Sequence, residues 1–172
     1  MISPRDEVYK ELQTFLKETT GSSNVYNTMY MTTKPSGDRI EYMLDNFIST
    51  SQTYQTRDTS YNSLNVGSNR EYRCQLKIKV AYENGLVASD QINKISGALH
   101  THEYVEQYIN NLYIETSSMR IRTIPFLNNG LISFIPEIIV DCYLVDEFNV
   151  GIDYFTDLED TEIKIQYGGK NA

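Results

Sequence analysis

The twelve residues from Glu71 to Tyr82 constrain the fold more than any other stretch. Tyr72, Cys74, Leu76, Ile78, Val80 and Tyr82 fall at alternate positions, with Arg73, Gln75, Lys77 and Lys79 between them. A period of two sends one set of side chains to a core and the other to a polar surface, which predicts a half-buried strand of an antiparallel or mixed sheet. At about 3.4 Å per residue the stretch extends about 40 Å, longer than a small sheet requires, so part of it is expected to pair outside its own subunit. The whole chain, 172 residues with 40% hydrophobic side chains, suits one α+β domain that buries its own core. The domain is expected to span 1–172.

Before that strand, Ser3-Pro4 with Asp6 and Glu7 behind it reads as a helix start. The serine caps, proline fits the first helical position, and the two acids favour the positive end. Val8, Leu12, Phe15 and Leu16 recur at helical spacing until Thr20-Gly21 closes the helix. Residues 24–31 read as a short strand, broken by Pro35-Ser36-Gly37. Ile40 to Ile48 predicts a short strand or a helical turn. The chain then enters a polar excursion over 49–69, either a long functional loop or a β-hairpin arm lying on a neighbour. Only Leu64 and Val66 are aliphatic there, whereas Tyr54 and Tyr61 supply contact area. The arm is expected to be mobile in the free subunit and ordered on assembly.

After the central strand, Glu83-Asn84-Gly85 opens a helix with Leu86, Ile92, Ile95 and Leu99 on its apolar side, and Val105 to Leu112 predicts further helical turns. A strand carrying Met119, Ile121 and Ile124 runs to Asn128-Asn129-Gly130, a sequence that reverses a chain between strands. Leu131 to Val145 is then a second long strand in which Pro136 predicts an edge or a bulge. Residues 153–160 read as an acidic link, 162–167 as a last short strand and 168–172 as a frayed end. The fold expected is therefore a mostly antiparallel or mixed sheet backed by two or three helices, with a long loop or hairpin arm.

The pattern carries no serine elbow, catalytic cysteine motif, P-loop, dinucleotide fingerprint or calcium loop, so neither an enzyme nor a cofactor is expected. His100 and His102 read as surface or capping residues rather than metal ligands. The acids between Asp153 and Glu162 read as a solvated link rather than a cation site. Cys74 and Cys142 each sit in an apolar strand pattern, which favours buried thiols over a disulfide. A formal charge of −8 disfavours autonomous nucleic-acid binding. Arg73, Lys77 and Lys79 nevertheless form a basic stripe; the simplest account is a solvated sheet face. A second account has the stripe meet Glu137 and Asp141, or the 153–162 link, of an identical neighbour. Fourteen tyrosines and no tryptophan add interface-forming side chains. Candidate interface residues are thus Tyr54, Arg57, Tyr61, Arg73, Lys77, Lys79, Glu137 and Asp141.

The order of these pieces, an N-terminal helix, Tyr72 to Val80, the Gly85-Leu86-Val87-Ala88-Ser89-Asp90 helix, and Arg122-Thr123-Ile124-Pro125-Phe126-Leu127-Asn128-Asn129-Gly130 feeding Ile138-Ile139-Val140-Asp141-Cys142-Tyr143-Leu144, resembles the neck or tail terminator (tail-completion) proteins of long-tailed bacteriophages. The resemblance covers about Glu71 to Tyr167, and residues 32–70 match no part of that pattern. It implies a structural virion protein, made and assembled in the host cytoplasm, that forms a homohexameric ring in the neck. Such a ring stops tail-tube growth and joins the tail to the head connector. Its partners would be further copies of itself, tail tube or sheath proteins and head connector proteins, with DNA passing the lumen without specific binding and no membrane involved. The rival readings are another ring-forming tail component, such as a tube or baseplate protein, and a small cytoplasmic enzyme whose site joins His100 or His102 to Asp141.

Overall fold

The computed structural model describes the backbone of residues 4–33, 35–50, 54–60, 63–128 and 131–153, and the side chains of 6–33, 35–50, 71–125 and 134–144. Helix α1 (Pro4–Thr20) carries the expected acids in its first turn and Lys17 in its last. Val8, Tyr9, Leu12, Phe15 and Leu16 make its buried stripe. The helix ends at Gly21, whose φ of 68° lies where a Cβ is disfavoured, and whose N–H donates to the Lys17 carbonyl at 2.8 Å.

Strand β1 (Val25–Asn27) is much shorter than the strand expected over 24–31. The Asn27 side chain accepts from the Met29 N–H at 2.9 Å and turns the chain into one 3-10 turn, Thr28–Tyr30, so a local side-chain bond replaces the ladder. β2 (Arg39–Ser49) resolves the ambiguous 40–48 stretch as a strand. Ile40, Tyr42 and Leu44 point into the core. The register then shifts between Asp45 and Ile48, and Asn46 takes a φ of 54°. Beyond that bulge the inward residue is Phe47, packed edge-on to Tyr72, while Ile48 is exposed. One extra residue thus inverts the phase, which is why the apolar residues there alternate poorly.

The polar excursion is a hairpin. β3 (Tyr54–Ser60) pairs antiparallel with the first part of β4 (Ser63–Ala81), from Tyr54↔Asn69 to Ser60↔Ser63. Further along β4, Cys74, Leu76, Ile78 and Val80 are wholly buried, as the alternation requires. Asn84 caps α2 (Gly85–His100) by accepting from the Leu86 and Val87 N–H groups. The buried stripe of α2 is Ala88, Ile92, Ile95 and Leu99. Leu86, expected on that stripe, is 80% exposed, because two residues from Ala88 is more than half a turn round the helix. The helical turns expected through Leu112 stop earlier: α3 is only His102–Glu106, Ile109 closes the turn that follows it, and Leu112 opens a strand.

β5 (Leu112–Asn128) and β6 (Leu131–Asp153) pair antiparallel from Leu112↔Leu144 to Asn128↔Leu131, so the chain does reverse at the Asn-Gly sequence. Pro136 makes neither edge nor bulge with β5; it stands in register opposite Thr123, and the irregularity lies in β5 between Glu115 and Arg120. There Ser118 Oγ accepts the Asp141 N–H at 2.8 Å, supplying an acceptor at the break in the ladder.

The strand order is β1-β2-β4-β6-β5, with β3 paired onto β4; β1 runs parallel to β2, whereas β2 with β4, β3 with β4 and β5 with β6 run antiparallel. This is an α+β fold with a mixed sheet and, among the described residues, three α-helices. The chain divides into two compact units, one of Met1–Gln52 with Arg70–Asp146, the other of Thr53–Asn69 with Glu147–Ala172. In the first unit α1, α2 and α3 join the inward residues of β2, β4, β5 and β6 in one continuous core. The acidic link, the strand expected over 162–167 and the frayed end fall outside the described residues.

Phe15, wholly buried, meets the Tyr104 and Tyr108 rings at 5.8 and 6.2 Å. Phe15→Ala is therefore expected to lower unfolding free energy by about 3–5 kcal/mol, read as a reduced urea midpoint with an unchanged slope. An exposed control, Tyr113→Ala, should move the midpoint far less.

Candidate functional site: the ionic face of the sheet

The face of β4 opposite the core carries Arg73, Gln75, Lys77 and Lys79, since alternation sets them all on one side. What they meet depends on which strands flank β4. β2 supplies Asp45, whose Oδ2 lies 2.5 Å from Lys77 Nζ. β6 supplies Asp141 and Glu137. Arg73 Nη2 donates to Asp141 Oδ2 at 2.6 Å and Gln75 Nε2 to Asp141 Oδ1 at 3.0 Å. Lys79 Nζ lies 3.7 Å from Glu137 Oε1, and Arg122 Nε of β5 donates to Glu137 Oε2 at 2.5 Å. These contacts step in opposite senses along β4 and β6, as antiparallel neighbours do. At the β1 end, Arg39 Nε donates to Glu41 Oε1 at 2.6 Å. At the β5 end, the Tyr143 hydroxyl donates to Glu115 Oε2 at 3.3 Å.

The burial of this face is uneven. Glu137 is 1% exposed and Asp141 9%, although both alternate with the core residues of β6 and so lie on its other side. A carboxylate so enclosed stays charged only if cations and donors replace its water. Glu137 has two cations and Asp141 has one, together with the Gln75 amide. Hydrogen bonds from Arg73 and then Gln75 hold the Asp141 carboxyl below the usual carboxylate range.

Five of the eight candidate interface residues, Arg73, Lys77, Lys79, Glu137 and Asp141, therefore belong to one lattice inside a single chain. The acids that the second account places on a neighbour, Glu137 and Asp141, are within one chain paired with the stripe of the same subunit. Each cation of the stripe is thus matched by an acid of the same chain. Tyr54 and Arg57 stand on β3, opposite Asn69 and Val66, with side chains outside the described residues. Tyr61 lies wholly outside them. The lattice also contains Gln75, which the β4 alternation sets on this face, and Asp45 and Arg122, which no local sequence pattern singles out. Arg122 alternates with Arg120 about Ile121, but only the register with β6 places it opposite Glu137.

Other candidate groups stay local. His100 Nδ1 lies 2.8 Å from the Ser96 carbonyl and His102 Nε2 lies 3.0 Å from Glu106 Oε1, each within its own helical turn. Cys74 and Cys142 are buried thiols on the adjacent strands β4 and β6. Burial first, and the nearby Cys74 second, push the Cys142 thiol well up, away from the reactive thiolate. Among the described residues, no group of three His, Cys, Asp or Glu side chains converges as metal ligands, and no helix is long and apolar enough to cross a membrane. No protein-family model matches the chain, and a search of the curated proteins returns no match.

The lowered folded-state pKa of Asp141 gives a stability term with a definite sign. It is fully present above the unfolded carboxylate value of about 4 and is lost as pH falls through the folded value. Asp141→Asn is thus expected to be less stable than the parent at pH 7, with the gap narrowing below about pH 4. Urea midpoints between pH 2.5 and 7 read this directly. A gap that stays constant would assign the loss to packing rather than charge.

Proposed function

We propose that this chain is a structural protein of a phage neck, a tail terminator that assembles as a hexameric ring, ends tail-tube growth and joins the tail to the head connector. The observation that carries the reading is the order of the long elements. An N-terminal helix, the 19-residue β4, the α2 crossing and the 17- and 23-residue strands β5 and β6 follow one another as in the family that the sequence resembles. Strands of this length exceed the usual five or six residues, and they leave backbone edge available to neighbours. Identical subunits joined head to tail close a ring when the rotation between them allows.

In that ring the 54–69 hairpin, with Tyr54, Arg57 and Tyr61, contacts the next subunit or the tail tube. The ionic lattice has a different role: it keeps each subunit's own sheet in register. A balance of −8 favours a lumen through which DNA passes without adhering. No enzymatic step is involved.

Imaging of particles made with and without the chain tests the reading. Normal particles should carry a six-fold ring of it between tail and connector. Particles lacking it should have tails of uncontrolled length that do not join heads. Normal tails in its absence would refute the terminator role, and a location along the tube or at the baseplate would assign the chain to another tail component.

A further inference from the structure

A cleft of about 530 Å³ opens between α1 and the β1 edge of the sheet, within the range of ligand sites. Its floor is fixed. Tyr9 and Tyr42 are buried, and the Tyr42 hydroxyl donates to the Tyr9 carbonyl at 2.7 Å. The Tyr30 ring stands edge-on to Tyr9, with centroids 5.7 Å apart, yet is 64% exposed; Tyr26 lines the other side. An aromatic side chain that is held in place and still open to water is the usual anchor of a recognition surface.

Among the described residues, an acid of the cleft lacks the cation that the paired acids of the ionic face have. Asp6 Oδ1 accepts the Tyr30 hydroxyl at 3.0 Å, but no cation of the described residues lies within ion-pair distance of this carboxylate. Glu41, Asp45, Glu137 and Asp141 all have one. The cleft therefore combines exposed aromatic edges with an acid that has no cation among the described residues.

We propose that this cleft is a docking site for an extended, proline-containing segment of a partner protein, in which a basic residue beside the prolines meets Asp6. Proline has no N–H, so such a segment presents its backbone as carbonyl acceptors, which the ammonium of Lys10 on the rim can satisfy. Its rings pack on tyrosine faces. Its polyproline II conformation is already extended, so docking costs little conformational entropy. A nucleotide would stack on the same rings but bring phosphate against Asp6 and Glu7, both in the first turn of α1. The site goes beyond the neck reading and does not depend on it.

Titration of the full chain, followed through the tyrosine ring NMR signals, tests the assignment. The probes are a ten-residue polyproline peptide, the same peptide with a terminal arginine, a glycine-serine peptide of equal length, and p-cresol. Both proline peptides should shift the Tyr26 and Tyr30 signals saturably, and the glycine-serine peptide should not. The arginine should tighten binding by about three- to fivefold, the size of an exposed ion pair, and Asp6→Asn should erase that advantage while leaving the proline shifts in place. Tyr26→Ala should weaken binding about tenfold or more, whereas Tyr113→Ala should leave it unchanged. Unmoved ring signals in the folded wild type would overturn the proposal, as would an equal response to the glycine-serine peptide. So would p-cresol binding in the absence of peptide binding, which would make the cleft a small-molecule pocket.

Discussion

Removal of one face of β4 from water is the constraint on which the rest of the first unit depends. Cys74, Leu76, Ile78 and Val80 leave no exposed surface on that side, and they do so only because α1 and α2 lie over the sheet. Each helix brings an apolar stripe to that face, Val8, Leu12, Phe15 and Leu16 from one and Ala88, Ile92, Ile95 and Leu99 from the other. The apolar area buried there supplies the main drive to fold. It also fixes register, since a slip of one residue along β4 would turn Arg73, Gln75, Lys77 and Lys79 into the core.

The opposite face follows from the same alternation by another route. None of the described helices covers it, yet Glu137 is as secluded as many core residues. Among the described residues, long charged side chains on this face reach across neighbouring strands and meet opposite charges there. Arg73 with Asp141, Lys79 and Arg122 with Glu137, and Lys77 with Asp45 are the outcome. An ion pair so enclosed contributes little net stability over an apolar replacement, but losing one partner is costly, so the lattice acts mainly on specificity.

Much of this was legible in the sequence, and the parts that were not share a cause. The Gly21 end of α1, the phase of β4, the chain reversal after Asn128 and the α+β class rest on residues within a few positions of one another. The partner of the basic stripe does not. Parity tells which face Lys79 occupies, whereas only the strand order reveals that Glu137 of the same chain is its neighbour. β2 was ambiguous because a bulge at Asn46 moves the inward phase from Leu44 to Phe47, and no propensity marks that step. β1 was overestimated because the side chain of Asn27 ends it. The tyrosine cleft was hidden for the first reason, since Tyr9, Tyr26, Tyr30 and Tyr42 come from four separate elements.

The strand order also has a consequence for how the molecule acquires its shape. β5 and β6 meet across a two-residue reversal, and β2 meets β4 across the intervening hairpin. The junction of β4 with β6, by contrast, joins residues such as Arg73 and Asp141 that lie 68 positions apart, with α2 and α3 between them. Closing so long a loop is entropically uphill before its contacts form, and topologies rich in such contacts fold slowly. The chain thus behaves as two half-sheets that zip locally and then wait for each other. Until they meet, β4 and β6 each present a bare edge, the form in which strand-rich chains are most open to pairing with the wrong partner.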